Sequence, residues 1–235
     1  MKLFLISLCG MLAVQGFGAG NDWRIVPGER VGQITMGMER AEVIRLLGTP
    51  GREDDLEYLY DKGQKLEYLK PRKEGEYKDL LRDDWTVPIR WPNGKEEEYH
   101  MENMANFVSI YFRNLRVVQI DVNVGRFKTR EGLSAESTGI AWQKRFPKYT
   151  ETFHKYFHQS AGGWPATKIF GDYDDAVSEG VAWYFSCTGD LAPDPDPEGP
   201  VTVAVHEANK PVIVDPDGGG RFMFKARPNQ LSGDL

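Results

Sequence analysis

The chain has 235 residues, a formal net charge of −6, and 40% hydrophobic and 12% aromatic residues. That length allows one large domain or two small ones, and the apolar content excludes general disorder. Charge is spread along the chain without a Lys/Arg cluster, so the electrostatic footprint of a nucleic-acid binder is missing and no nucleic-acid partner is expected.

Met1 and Lys2 form a short positive start, followed from Leu3 to Val14 by an apolar stretch. At about 12 residues it is too short to cross a bilayer core of about 30 Å. Small residues at Gly16, Gly18, Ala19 and Gly20 suit cleavage after Gly18 or Gly20, whereas a cut after Ala19 would leave Phe17 at a position that wants a small side chain. Residues 1–20 therefore read as a removable secretory signal, and the remainder as secreted or periplasmic. Cys9 follows an apolar run as a lipid-attachment cysteine would, but Leu8 precedes it where a small residue is wanted, so lipid anchoring is not expected. With the signal removed, Cys187 is the one cysteine left, no internal disulfide can form, and stability must come from the core. No second apolar stretch approaches membrane-spanning length, so no integral membrane segment is expected after signal removal.

From Val31 a short extended piece leads through Gly37 into a helix whose apolar positions are Met38, Ala41, Val43, Ile44, Leu46 and Leu47, with Glu39, Arg40, Glu42 and Arg45 on the wet side. Gly48 and Pro50 end it, because Gly accepts a left-handed cap and Pro cannot continue a helix. Leu56–Tyr60 reads as a strand. Residues 61–104 are charged and aperiodic, with Trp85, Trp91 and Tyr99 scattered among Pro71, Pro88 and Pro92, and read as an insertion of loops and short pieces. Phe107–Phe112 and Val117–Val124 form the clearest hairpin, turning over Arg113–Arg116. In its second strand Val118, Ile120, Val122 and Val124 alternate with Gln119, Asp121 and Asn123, which predicts one buried and one solvated face.

Ser134 or Ser137 is placed to cap a helix through Ile140, Ala141, Trp142 and Phe146, ended by Pro147. Tyr149–Gly163 is aromatic-rich and reads as a second helical segment. Strands are expected at Gly180–Cys187, Val201–His206, Pro211–Val214 and Arg221–Phe224, and residues 226–235 read as a disordered tail. The order helix, proline, antiparallel strands thus occurs twice. It predicts an α+β protein of two helix-plus-antiparallel-sheet units, 25–125 carrying the 61–104 insertion and 126–225, with the option of one sheet running through both.

The string from Met36 to Pro50, with Gly37, Met38, Glu42, Val43, Leu46, Leu47, Gly48 and Pro50, resembles the signature of the SmpA/OmlA (BamE-like) family of bacterial envelope domains. The resemblance implies small helices packed on a three- or four-stranded antiparallel sheet. A tandem of such units is similar to the beta-lactamase inhibitory proteins, which are secreted binders. It favours binding to another envelope or secreted protein over catalysis.

His154 and His158 would share a helix face, as two zinc ligands need, but no third ligand lies at a diagnostic spacing and no metal is expected. Cys187 and His206 would suit a thiol nucleophile and its base if their strands were neighbours, although a lone cysteine ending an aromatic strand most often packs as a small hydrophobe. Asp194–Glu198 and Asp215–Gly220 gather oxygen ligands; the position where a calcium loop needs its closing Glu is Ala226, so both read as turns. Among the tryptophans, Trp142 and Trp183 fall in regular elements and belong in the core, whereas Trp85, Trp91 and Trp164 lie in loop-like sequence beside prolines and are the interface candidates. The reading is an exported non-catalytic binding or scaffolding protein of the periplasm or cell envelope, with no cofactor. The alternatives are a small hydrolase using Cys187 and His206 or a metal site at His154 and His158.

Overall fold

The computed structural model describes residues 22–58, 77–86, 89–90, 96–97, 107–158, 167–188 and 201–214. Three short strands, β1 (Ile25–Val26), β2 (Arg30–Val31) and β3 (Ile34–Thr35), form a small antiparallel sheet, and helix α1 follows at Arg40–Leu47. Then come β4 (Arg52–Asp55), β5 (Leu80–Thr86), a two-residue ladder of β6 (Ile89–Arg90) with β7 (Glu96–Glu97), and the hairpin β8 (Phe107–Arg113) and β9 (Arg116–Val122). Helix α2 (Gly139–Arg145) precedes β10 (Thr150–His158), β11 (Thr167–Ala176), β12 (Val181–Thr188) and β13 (Thr202–His206). The main sheet has eight strands in the order β10-β11-β12-β13-β9-β8-β5-β4, all pairs antiparallel.

This overturns the expected α+β class. The protein is mostly β: the described residues hold two helices, of eight and seven residues, against eight- and three-stranded sheets. Helix-plus-sheet units are not shown by the described residues, and the sheet is continuous, as the sequence reading allowed. Pairing of β13 with β9 carries one sheet across residue 125, and one core draws Val43 of α1, Trp142 of α2 and residues of β5, β8, β9, β12 and β13 into a single cluster.

Several local expectations change with the class. Thr150–His158 is an extended strand, not a helix: Pro147 stops α2, and Thr150, Thr152, Phe153, Tyr156 and Phe157 are residue types that fit a pleated surface. The 61–104 stretch is not merely loops, since β5 pairs along its whole length with β8. At the front, the strand is Arg52–Asp55, and the chain turns at Leu56 where a strand was expected to begin. Pro211–Val214 forms no ladder; it crosses the sheet as a strap. The signal segment 1–20, Trp91, Trp164, the acidic turns 194–198 and 215–220, Arg221–Phe224 and the tail 226–235 lie outside the described residues.

Other expectations hold with physical detail. Gly48 ends α1 at φ +83, donating its N–H to the Ile44 carbonyl. The cap of helix α2 is a correction: it is Thr138, not Ser134 or Ser137, and its hydroxyl accepts from the Ala141 N–H at 3.2 Å, while Ser134 and Ser137 shape the turn before it. The β8–β9 hairpin closes over Asn114 and Leu115, at φ +51 and +61, the geometry of a type I′ turn. Leucine is a poor occupant of that conformation and is 57% exposed here, so little packing holds it. Leu115→Gly is expected to stabilise the fold by about 0.5–1 kcal/mol, read as a higher midpoint in urea unfolding; a lower midpoint would contradict the turn assignment.

The helices cover one face of the sheet. Trp142 of α2 stacks on Trp183 of β12 at 5.9 Å between centroids, with Phe146 stacked behind at 5.9 Å and Tyr149 edge-on to Trp183 at 5.6 Å. Arg40 of α1 grips Asp83 of β5 through Nε at 2.7 Å and Nη2 at 3.0 Å, and reaches Glu53 of β4 at 2.5 Å, a charge-assisted fork that fixes α1 to the sheet. Gly180, at φ +70, lets the β11–β12 turn meet the small sheet: a Cβ there would lie 2.5 Å from the Gly28 Cα and from the His206 carbonyl oxygen.

Candidate functional site

The opposite face of the sheet departs most from the sequence expectation. Gln119 and Asp121, expected to be solvated, are 0% and 1% exposed. By register, Arg52, Asp84, Ser109, Asp121, Ala204, Ala182 and Asp175 lie in one row across seven strands, and Asp54, Arg82, Tyr111, Gln119 and His206 in the next. Arg82, wholly buried, donates to Asp54 and sits 3.4 Å from Asp84, while Arg52 also reaches Asp54 at 2.6 Å. Buried charges persist when paired with opposite ones, and here each guanidinium meets a carboxylate.

The strap at 211–214 lies across this face and is held by side chains standing in for a neighbouring strand. The Gln119 amide accepts from the Ile213 N–H at 2.6 Å and donates to the Ile213 carbonyl at 3.0 Å. Asp175 accepts the Val212 N–H at 2.8 Å, and the Tyr77 hydroxyl donates to the Val214 carbonyl at 2.9 Å. Beneath the strap Tyr184 donates to Asp121 at 3.3 Å and stacks with Tyr173 at 4.3 Å. Each buried backbone group of the strap named here thus gains a partner without a ladder.

This network occupies the histidine proposed as a base. His206 is 2% exposed, with Nε2 3.0 Å from Asp175 Oδ1 and Nδ1 3.2 Å from the Glu207 carbonyl. Strands β12 and β13 are neighbours, but His206 is bonded opposite Gly180, seven positions from Cys187 along β12. At about 3.3 Å per residue that is roughly 23 Å, so the structure does not bring the two together. His154 and His158, four apart on a strand instead of a helix, are separated by about 13 Å of rise. Among the described residues no group of three or more His, Cys, Asp or Glu side chains converges as a metal site. Trp85 is buried in the core at 5% exposure, its indole N–H donating to the Gly48 carbonyl at the end of α1 at 3.1 Å.

On the helix-covered face, Asp174 of β11 accepts from the Trp183 indole at 2.9 Å and from Gln143 of α2 at 3.0 Å. Burial pushes its carboxyl above the ordinary carboxylate range against those two donors, and Glu151 of β10 pushes it the same way. A carboxyl raised in the native state holds its proton more tightly there than in the unfolded chain. Its contribution to stability is therefore greatest at acid pH and declines as pH rises from the unfolded value of about 3.9 through the raised native one. Asp174→Asn is expected to flatten that decline from about pH 4 upward, measured as urea midpoints across a pH series; parallel curves for the two proteins would contradict it.

The two ends of the sheet differ sharply. Edge strand β4 is four residues long and every one, Arg52, Glu53, Asp54 and Asp55, is charged, the short and charged form by which sheets blunt their edges. Edge strand β10 is nine residues long, contains neither proline nor glycine, and keeps an unbroken register with β11 from Thr150↔Asp175 to His158↔Thr167. Among the described residues nothing pairs with its outer side. Alternate N–H and C=O groups along it face away from β11, a ready template for an added strand. The edge was not foreseen because the segment was read as helical.

No protein-family model, characterised protein or solved structure matches the chain, so the likeness of Met36–Pro50 to the SmpA/OmlA signature rests on that string alone.

Proposed function

We propose that this chain is an exported, non-catalytic binding or scaffolding protein of the periplasm or cell envelope, and that it engages another envelope or secreted protein by strand addition along β10. The single observation carrying the reading is the contrast between the two edges: β4 is short and wholly charged, and β10 is long, aromatic and unbroken. Support for export comes from residues 1–20, whose positive start, apolar run and small residues form a secretory pattern. In strand addition, backbone hydrogen bonds supply affinity and alternating side chains supply selectivity, which needs no catalytic group.

The test is capture from an envelope fraction with the immobilised native chain beside single proline variants at Phe153 and His154, adjacent positions whose N–H groups point to opposite sides of the strand. Proteins enriched by the native chain and lost with at least one variant support the reading. Equal retention by all three, or no enrichment over empty resin, counts against it.

A further inference from the structure

We infer that the strand added to β10 is β10 of a second copy of this chain, paired antiparallel about a twofold axis through Phe153. The inference rests on the reading of β10 as the contact edge and names its occupant.

A symmetric pair has the same surface on both sides. When two identical strands pair antiparallel about an axis normal to the sheet, directly opposite residues must share a face. Because faces alternate with period two, the axis must pass through a residue and not between residues. Each choice of axis then fixes the whole set of opposite pairs, and the sequence of β10 discriminates among them.

An axis through His154 sets Glu151 opposite Phe157 and Lys155 opposite Phe153, leaving both charges unmatched. One through Lys155 sets two lysines against each other, a like-charge pair that destabilises a ladder. An axis through Thr152 leaves Lys155 beyond the overlap. With the axis at Phe153, Glu151 meets Lys155 twice, once on each side, Phe153 meets Phe153 between them, and Thr152 meets His154. Residues 150–156 overlap fully in this register, which matches aromatic with aromatic and opposite with opposite charge.

The charge already within the sheet points the same way. On its inner side Glu151 lies directly opposite Asp174, a like-charge neighbour that also helps push the Asp174 carboxyl up. Lys155 lies opposite Phe170. Neither charged residue of β10 has an opposite charge across from it on β11, and the proposed register gives each one.

The test is sedimentation velocity of the purified full chain over about two decades of micromolar concentration, with Glu151→Lys, Lys155→Glu and the double exchange E151K/K155E. A concentration-dependent dimer is expected for the native chain. Each single exchange converts two attractive pairs to repulsive ones and weakens the dimer about tenfold or more; the double exchange restores it, which also shows that the altered strand still folds. A chain monomeric throughout overturns self-pairing, and so does a dimer indifferent to the single exchanges or not restored by the double one. Either failure leaves strand addition standing if envelope proteins are still captured through β10; loss of both sinks the edge reading as a whole.

Discussion

Replacing Trp183 with alanine is expected to lower the unfolding free energy by about 3–5 kcal/mol, the range for emptying a buried aromatic site. The indole is fully buried between Trp142, Phe146 and Tyr149, so the loss removes the stack that seats α2 on β12. It also removes the donor to Asp174 Oδ2, leaving Gln143 as the neighbouring donor to that buried carboxyl. Leaving a buried acceptor short of a partner adds to the cavity term. Urea unfolding followed by far-UV circular dichroism reads the change; a loss under about 1 kcal/mol would mean the stack is not the support of α2.

Arg82→Met should cost a similar amount by a different route. The guanidinium is fully buried and neutralises Asp54 and Asp84 on the strap-covered face. Removing Arg82 takes a buried cation from both carboxylates, at about 3–5 kcal/mol, with Arg52 still 2.6 Å from Asp54, although methionine fills much of the same volume. The two mechanisms separate with pH. Acid conditions, which lessen the negative charge left on this face, should recover part of the Arg82→Met loss and leave the cavity share of the Trp183→Ala loss in place. Equal behaviour of the two variants in acid would contradict the charge assignment on this face.

What the sequence disclosed was local. Gly48 with Pro50, and Pro147 after Phe146, are backbone constraints that need no tertiary partner, and both helix ends fall there. The β8–β9 hairpin was legible because alternation and turn occur within a few residues of each other. Strand β11 was not: its Gly171, Asp172, Asp174 and Asp175 are poor strand formers, and it is extended because β10 and β12 flank it. The wet-looking residues Gln119 and Asp121 misled for a related reason. Their burial depends on a strap about ninety residues away in sequence, which period-two alternation cannot reveal. The apolar period from Met38 to Leu47 located α1, whereas the helix-and-sheet class that the likeness of Met36–Pro50 implies is not the one found, since the strands dominate.

The contact site was less legible still. Trp85 drew attention as an aromatic beside a proline, yet it lies in a strand of the core. The edge strand carries no motif; it is distinguished only by its place at the end of the sheet and by the absence of the devices that protect β4. His154 and His158 drew attention as metal ligands through a helix that the chain does not form, and their strand is the one that now carries the proposed contact.

Backbone amide hydrogen exchange across residues 150–158, measured free and with the captured or self-associated partner bound, tests the central claim most directly. The account predicts that alternate amides of β10 gain protection on engagement while those of β4, at 52–55, do not change. Protection gained at β4, or on the helices with β10 unaltered, would contradict it.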